Sequence, residues 1–472
     1  MIQSTSKESS YSTIFKNQKV NQYIVGNSTL KERKVKLNLL KKAILGKYKI
    51  KFQKALYADL RKPLVETDLT EIYPIISEIK FAKSNLREWM GKNRVPTPIA
   101  LLGTSSWVKY EPKGVCLIIS PWNYPMHLAL SPLVSAIASG NTVIIKPSEM
   151  TPNTSAVLAE LIAELFDEKE VALIQGGVDV STDLLKLPFN HLYFTGSPAV
   201  GKIVMKAAAE NLASVTLELG GKSPTIVDKT ANINDAARKI VWGRFLNSGQ
   251  TCIAPDYVLV DENVKEKLIN ALKKAIIDLF SQDASTSKSY GRIVNSKHLE
   301  RLNNYLNDAK NKGAKIEIGG TVVAADNYIA PTIVSNIPDD SLLLTEEIFG
   351  PILPIKGYKN MDYAINYINS NKKPLALYIF SKSKKLENYI ISNTRAGSTC
   401  INNNVMQYTN HYLPFGGVNN SGLGKTHGFY GFQEFSNVRS VMKQHTFGAS
   451  QLLFPPYTNL KQKLADFTIK WL

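Results

Sequence analysis

From about Gly114 onward, short and almost wholly apolar runs alternate with longer stretches of helical periodicity. Val115-Cys-Leu-Ile-Ile119 and Thr142-Val-Ile-Ile145 are short, continuous and rich in β-branched residues, which predicts buried strands. His127 to Ser139 and Ser155 to Phe166 carry the spacing of helices between them. The style repeats with Thr225-Ile-Val227, a helix across Ile233 to Leu246, and the strand Tyr257-Val-Leu-Val260. Such alternation predicts parallel sheets with crossover helices, and two blocks of it predict two α/β domains. The junction near Glu218 to Gly221 is the natural hinge between them.

Two further segments are amphipathic. Between Lys31 and Lys62, Leu37, Leu40, Ile44, Tyr48, Phe52 and Leu56 recur at helical spacing with lysines between them, predicting one helix with a lysine face. Near the end, Leu460, Leu464, Phe467 and Trp471 share a face beside Lys461, Lys463 and Lys470, a helix suited to a membrane interface but too short to span. The alternative for it is simple packing on the body. No short repeat, low-complexity linker or heptad array suggests a filament or scaffold.

A chain of 472 residues with 44% hydrophobic content exceeds what one core usually organises, so two or three domains are expected. Cys116, Cys252 and Cys400 neither pair evenly nor have metal-ligand spacing, which points to a reducing compartment, the cytoplasm by default, and to no structural metal. The opening stretch MIQSTSKESSYSTIF lacks the apolar core of a signal peptide. The net charge of +18 reads first as solvated surface, next as attraction to an anionic membrane or lipid substrate, and last as nucleic-acid binding. No zinc finger, RNA-recognition signature or aromatic-interleaved basic strip supports that last option.

Cys252 lies in the small-residue run Asn247-Ser-Gly-Gln-Thr-Cys-Ile-Ala-Pro255, after a helical stretch, where a chain can present a reactive thiol. Glu218 opens Glu-Leu-Gly-Gly-Lys-Ser-Pro224 upstream. A thiolate that attacks a carbonyl leaves an acyl group that a base must help water to remove, so the two residues can divide that labour. Read singly, each has an ordinary alternative. Cys252 is then a small buried hydrophobe, Glu218 a carboxylate in a strand-end turn, Asn123 in Pro-Trp-Asn-Tyr-Pro a turn residue, and Phe349 before Gly-Pro a core residue.

Six segments stand in order: PWNYP at Pro121 to Pro125, KPSE at Lys146 to Glu149, FTGS at Phe194 to Ser197, ELGGKSP at Glu218 to Pro224, NSGQTCIAPDY at Asn247 to Tyr257, and EEIFGP at Glu346 to Pro351. Together they resemble the signature motifs of the aldehyde dehydrogenase superfamily. The resemblance runs from about Leu60 to Met442. It is closest to the class 3 branch of fatty and aromatic aldehyde dehydrogenases, through QTCIAPDY, HYLPFGG at His411 to Gly417, and Pro455-Pro456-Tyr457.

The resemblance implies an α/β fold of two parallel-sheet domains, a Rossmann-variant cofactor domain and a catalytic domain, with a small β oligomerisation arm. The boundaries it suggests are 1–93 with 113–218 for NAD(P) binding, 219–430 for catalysis, 94–112 with 431–446 for the arm, and 447–472 for the tail. Oligomerisation follows from the arm, and a homodimer is the habit of the class 3 branch. Cys252 is then the nucleophile, Glu218 the base for thioester hydrolysis, and Asn123 a donor to the oxyanion, with the Cys252 backbone N–H as the second donor. Lys146 and Glu149 would reach the adenosine ribose, and Gly196, Ser197 and Gly201 the pyrophosphate. Glu347 and Phe349 would hold the nicotinamide ribose and ring. Trp122, Tyr124 and Tyr408 are candidate pocket walls.

The expected cofactor is NAD, with NADP as the alternative, because Glu149 would repel a 2′-phosphate while Lys146 could neutralise one. The expected reaction oxidises medium or long aliphatic or aromatic aldehydes to acids, since branches that pass the acyl group to coenzyme A generally lack a glutamate matching Glu218. The competing readings are a dedicated biosynthetic enzyme for a semialdehyde or a carotenoid- or lignin-derived aldehyde, and a non-catalytic relative kept for binding.

Overall fold

The computed structural model describes residues 10–446 and 448–471. The first nine residues of the opening stretch, and Phe447 and Leu472 of the expected tail segment, lie outside the described residues.

The first sheet runs in the order Gly422–Leu423, Ser214–Leu219, His191–Gly196, Val115–Ile119, Thr142–Lys146, Val171–Leu173. All its pairings are parallel except the first, where Gly422 lies opposite Glu218. The second sheet runs Lys315–Ile318, Thr332–Ser335, Ile352–Tyr358, Tyr257–Asp261, Pro224–Val227, Ala376–Phe380, Ser398–Ile401, with only its Lys315 edge strand antiparallel. Helices cover both sheets, so the strands are apolar on both faces and read as continuous hydrophobic runs. Residues Gly220 to Ser223 join the last long strand of the first sheet to Pro224–Val227 of the second.

A third sheet pairs Thr104–Pro112 with Asn93–Val95 on one side and Ser436–Gln444 on the other, both antiparallel. Val438 and Met442 on its outer strand are exposed.

The lysine-rich segment is not one helix. It forms Leu30–Leu45 and Lys47–Leu60, broken at Gly46, whose backbone leaves helical space. Glycine is the residue that most weakly resists such a break. Because the break preserves the phase of the pattern, Leu37, Leu40, Ile44, Tyr48, Phe52 and Leu56 are all fully buried as the periodicity predicts. Thr29 and Glu32 form a capping box that starts the first of the two helices. The terminal helix forms over Asn459–Trp471 and packs beside the turn Ala449–Leu453, leaving Leu460, Phe467, Ile469 and Trp471 exposed.

Candidate active site

The loop that carries Cys252 is held in an uncommon conformation. Asn247, Ser248 and Gly249 all have positive φ, at 50°, 52° and 75°. For the two non-glycine residues this costs about 1–3 kcal/mol each, which surrounding bonds must offset. They are present. The Asn247 N–H donates to Glu66 Oε1 at 2.9 Å, and Asn247 Nδ2 donates to the Asn123 carbonyl at 2.8 Å. Gln250 Nε2 donates to the carbonyls of Asn247 and Arg292, both at 3.0 Å, and Gln250 Oε1 accepts from the Val294 N–H at 3.0 Å. A side chain at Gly249 would strike the Gly350 carbonyl, so the turn needs glycine there.

Asn123 is 3% exposed, and its Nδ2 donates to the Gln250 carbonyl at 3.0 Å. Lys62, wholly buried, donates to the Asn123 carbonyl at 3.0 Å and to Glu71 at 2.5 Å, with its ammonium 4.2 Å from the centre of the Tyr124 ring. Glu71 in turn accepts the His127 N–H at 2.9 Å, from a π-helical turn at Asp68–Ile72. This frame of buried Lys62 and Glu71 with part-buried Glu66 was not read from the sequence. Its partners lie 56 to 181 residues away, and two glutamates in Val-Glu-Thr-Asp-Leu-Thr-Glu-Ile carry no motif.

Glu218 ends the long strand Ser214–Leu219 and is 6% exposed. Neither carboxylate oxygen has a hydrogen-bond partner among the described residues. Burial therefore pushes its pKa well above the usual carboxylate range, Lys425 pulls it down, and Glu434 pushes it further up. Cys252 and Glu218 line one cavity of about 50 Å³, together with His127, Tyr193, Thr195 and His427. That volume suits a few waters. Burial, then the charges of Glu347 and Glu218, push the Cys252 thiol up to about 12. The thiol is thus protonated at neutral pH until positive charge arrives beside it.

Glu347 is near enough to Cys252 for its charge to act on the thiol. The Glu347 carboxyl accepts the Gly221 N–H, and burial with the nearby Asp256 charge pushes it up to about 7. A side chain on Gly220 would run into that carboxyl, so the close approach needs glycine there. Phe349 has φ of 47° and meets the Trp122 ring edge to face at 5.4 Å. Arg301 reaches the carbonyls of both Glu347 and Phe349.

On the first sheet, Lys146 is buried and pairs with the part-exposed Glu149 at 2.9 Å. For Glu149, burial works upward, yet the hydrogen bonds from Lys146 and its own backbone more than offset it and hold the carboxyl low. Ser197 caps the helix Pro198–Glu210, accepting from the Val200 N–H. The Gly201 N–H is already used inside that helix, donating to the Ser197 carbonyl at 2.9 Å. A Cβ there would lie 2.8 Å from Leu219, so Gly201 provides close helix–sheet packing. The exposed Val200 and Ile203 of this helix, and Val178 of the helix Val178–Leu185 packed against it, add an apolar surface that the sequence reading missed. A lysine–glutamate ion pair, a capped helix N-terminus and an exposed apolar row together fit the parts of a dinucleotide.

Of the candidate walls, Tyr124 is buried with its hydroxyl 2.7 Å from Thr251 Oγ1, and Tyr408 meets His127 at a tilt and Phe415 edge to face. Leu64, Val65, Leu69 and Tyr73, which flank Glu66 and Glu71 along the chain, are exposed.

Comparison with known proteins adds the following. The sequence profile described as "Aldehyde dehydrogenase family" matches residues 3–441. The chain is 46% identical to 4,4'-diaponeurosporen-aldehyde dehydrogenase of Staphylococcus aureus over 90% of its own length and 92% of the relative's. It is 43% identical to aldehyde dehydrogenase family 3 member A2 of Mus musculus, covering 88% of this chain and 85% of that one. The solved structure described as the substrate-bound state of Staphylococcus aureus AldH superposes with a TM-score of 0.94 at 43% identity, covering 98% of this chain and 100% of the other.

Proposed function

Since the chain belongs to the aldehyde dehydrogenase family and oxidises aldehydes with NAD or NADP, we propose that Cys252, Glu218 and Asn123 carry the chemistry. The observation that carries this reading is the cavity shared by Cys252 and Glu218, with Asn123 tied to the Cys252 loop through the Gln250 carbonyl. It places a thiol beside a buried carboxylate that has no hydrogen-bond partner among the described residues, with room for water between.

Cys252, its thiol proton having passed to water, attacks the aldehyde carbon as the thiolate, and the negative charge that forms on oxygen is met by the remaining N–H of the Asn123 amide and by the Cys252 backbone N–H. When bound, the nicotinamide cofactor supplies the hydride acceptor and the positive charge that favours the thiolate. Glu347 and Phe349 would hold its nicotinamide half, Lys146 and Glu149 its adenosine ribose, and Ser197 with Gly196 its pyrophosphate. Glu218 then takes a proton from a water in the cavity, that water's oxygen bonds to the acyl carbon, the C–S bond breaks, and the acid leaves. A carboxylate kept free of partners is available for that proton. Water is the acyl acceptor.

We read the substrates as medium or long aliphatic or aromatic aldehydes, which the apolar cavity walls Leu128, Pro132, Leu219, Leu375 and Phe415 support. A dedicated carotenoid-derived aldehyde is the second reading, favoured by the relative named for such a substrate. The half-open edge of the Ser436–Gln444 strand suits pairing with a second copy of this chain, and the preferred assembly is a homodimer. Three free cysteines suit the cytoplasm. Among the described residues no helix is long and apolar enough to cross a membrane.

The test is NADH formation with aldehydes from acetaldehyde through long-chain alkanals to benzaldehyde and coniferaldehyde, using wild type and Cys252→Ala. Activity abolished by the substitution supports the thiol mechanism, and the chain-length profile names the substrate class. Silence of folded wild type with NAD and NADP across the panel would point to a specialised substrate.

A further inference from the structure

Beside Glu218 the loop at Gly416 and Gly417 is pinned by a charge that the reaction scheme above leaves unused. Lys425 Nζ donates to the Gly416 carbonyl at 2.6 Å and to the Gly417 carbonyl at 3.1 Å. A side-chain carbon placed on Gly416 would lie 3.0 Å from Lys425 Cδ and 3.1 Å from Glu218 Oε1, so lysine and carboxylate flank the same glycine. Behind them, Glu434 Oε1 accepts the Lys425 N–H at 3.1 Å and Glu434 Oε2 accepts the Thr216 hydroxyl at 2.8 Å. Thr216 is two residues before Glu218 on one strand, hence on the same face.

We propose that Lys425 is a positioning residue for the hydrolytic step: anchored on two carbonyls, its ammonium sets the field in which the Glu218 carboxylate takes a proton from water. This rests on the reading of Glu218 as the base. Four groups act on Glu218 electrostatically or are acted on by it: Lys425, Glu434, Tyr193 and Cys252. Glu78, His127 and His427 line the same cavity. Lys425 is the cation of the first set. Burial raises the Glu218 pKa, Lys425 opposes that rise, and Glu434 adds to it, while burial lowers Lys425 itself against the pull of both carboxylates. Without an ammonium at this place, a carboxyl that lacks hydrogen bonds would hold its proton at neutral pH and could accept none from water.

The test separates the two halves of the reaction in a single turnover, with enzyme in excess over aldehyde in the presence of NAD. NADH absorbance reports acylation, and free acid in quenched samples reports hydrolysis, from about pH 6 to 10. Lys425→Met should slow acid release about tenfold or more at neutral pH and move its pH profile upward by about one unit or more, leaving NADH formation within about twofold. Intact NADH formation shows that the variant folds. Lys425→Arg should keep the wild-type profile, and Glu434→Gln should move it downward. A Lys425→Met variant that is slower at every pH with an unmoved profile would overturn the proposal, as would Lys425→Met and Glu434→Gln shifting in the same direction. Glu218→Gln marks the other failure: if it still releases acid, the base reading itself falls, whereas loss of release with an unmoved Lys425→Met profile removes only the lysine.

Discussion

The Asn123 side-chain amide donates to the Gln250 carbonyl at 3.0 Å, two residues before Cys252. One of its two N–H groups is spent fixing the Cys252 loop, and in the proposed mechanism the other meets the substrate oxygen. Asn123→Ala removes both at once and should lower the single-turnover rate of NADH formation by about 100- to 1000-fold. Asn123→Asp keeps the shape but replaces a donor by an acceptor, and should be at least as slow. Aldehyde oxidation within about threefold of wild type in either variant would remove Asn123 from the oxyanion site.

The thiol of Cys252 is pushed up to about 12 by burial and by the Glu347 and Glu218 charges. Below that value the thiolate fraction rises tenfold per pH unit. Alkylation of cofactor-free enzyme by iodoacetamide should therefore climb steadily through about pH 9 without a plateau, and NAD should accelerate it near pH 7.5. A plateau near the ordinary thiol value of about 8.5 would show that the charges do not act on it.

Glu218 illustrates how a working residue weakens a fold. Its pKa is raised in the folded protein. For a group raised on folding, stability is full below the unfolded value and is lost as pH rises toward the folded one. Glu218→Gln removes that loss, so its Tm should exceed that of wild type by about 1–3 °C at pH 8, and the gap should shrink near pH 4. Calorimetry at both pH values checks this, and a Gln variant less stable at pH 8 would contradict it.

What the chain discloses by itself follows from distance along it. Cys252, Glu218 and Asn123 sit in short local runs, whereas the positive φ of Asn247 and Ser248 is held by bonds to Glu66 and Asn123 from far along the chain. The strands were legible because both faces of each sheet are covered, which writes them as unbroken apolar runs. Gly46 was hidden because the apolar spacing continues in phase across it. Lys62, 61 residues from Asn123, and Lys425, which matters only through the folding back of Gly416 on Glu218, acquire meaning from tertiary contact alone.

Cofactor choice should turn on Glu149. Its carboxylate is held ionised by Lys146 at 2.9 Å, so negative charge faces the expected ribose and the lysine is already neutralised. A 2′-phosphate would meet repulsion there. Glu149→Gln frees the lysine, and kcat/KM for NADP should rise about tenfold while that for NAD changes less. Equal ratios for wild type and variant would place the discriminating charge elsewhere.

The terminal helix Asn459–Trp471 exposes Leu460, Phe467, Ile469 and Trp471 to solvent while carrying Lys461, Lys463 and Lys470. Exposed apolar side chains on a basic helix gain by entering the boundary of an anionic bilayer, where burial and charge attraction add. Intact protein should therefore sediment with anionic phospholipid vesicles at low salt, and protein ending at Pro456 should do so at least about fivefold less. Neutral vesicles should retain less of the intact protein. Oxidation of short soluble aldehydes should not change on truncation, because the helix packs beside the turn Ala449–Leu453, away from the Cys252 cavity. Equal vesicle binding by the two forms would assign the exposed face to something other than a lipid surface.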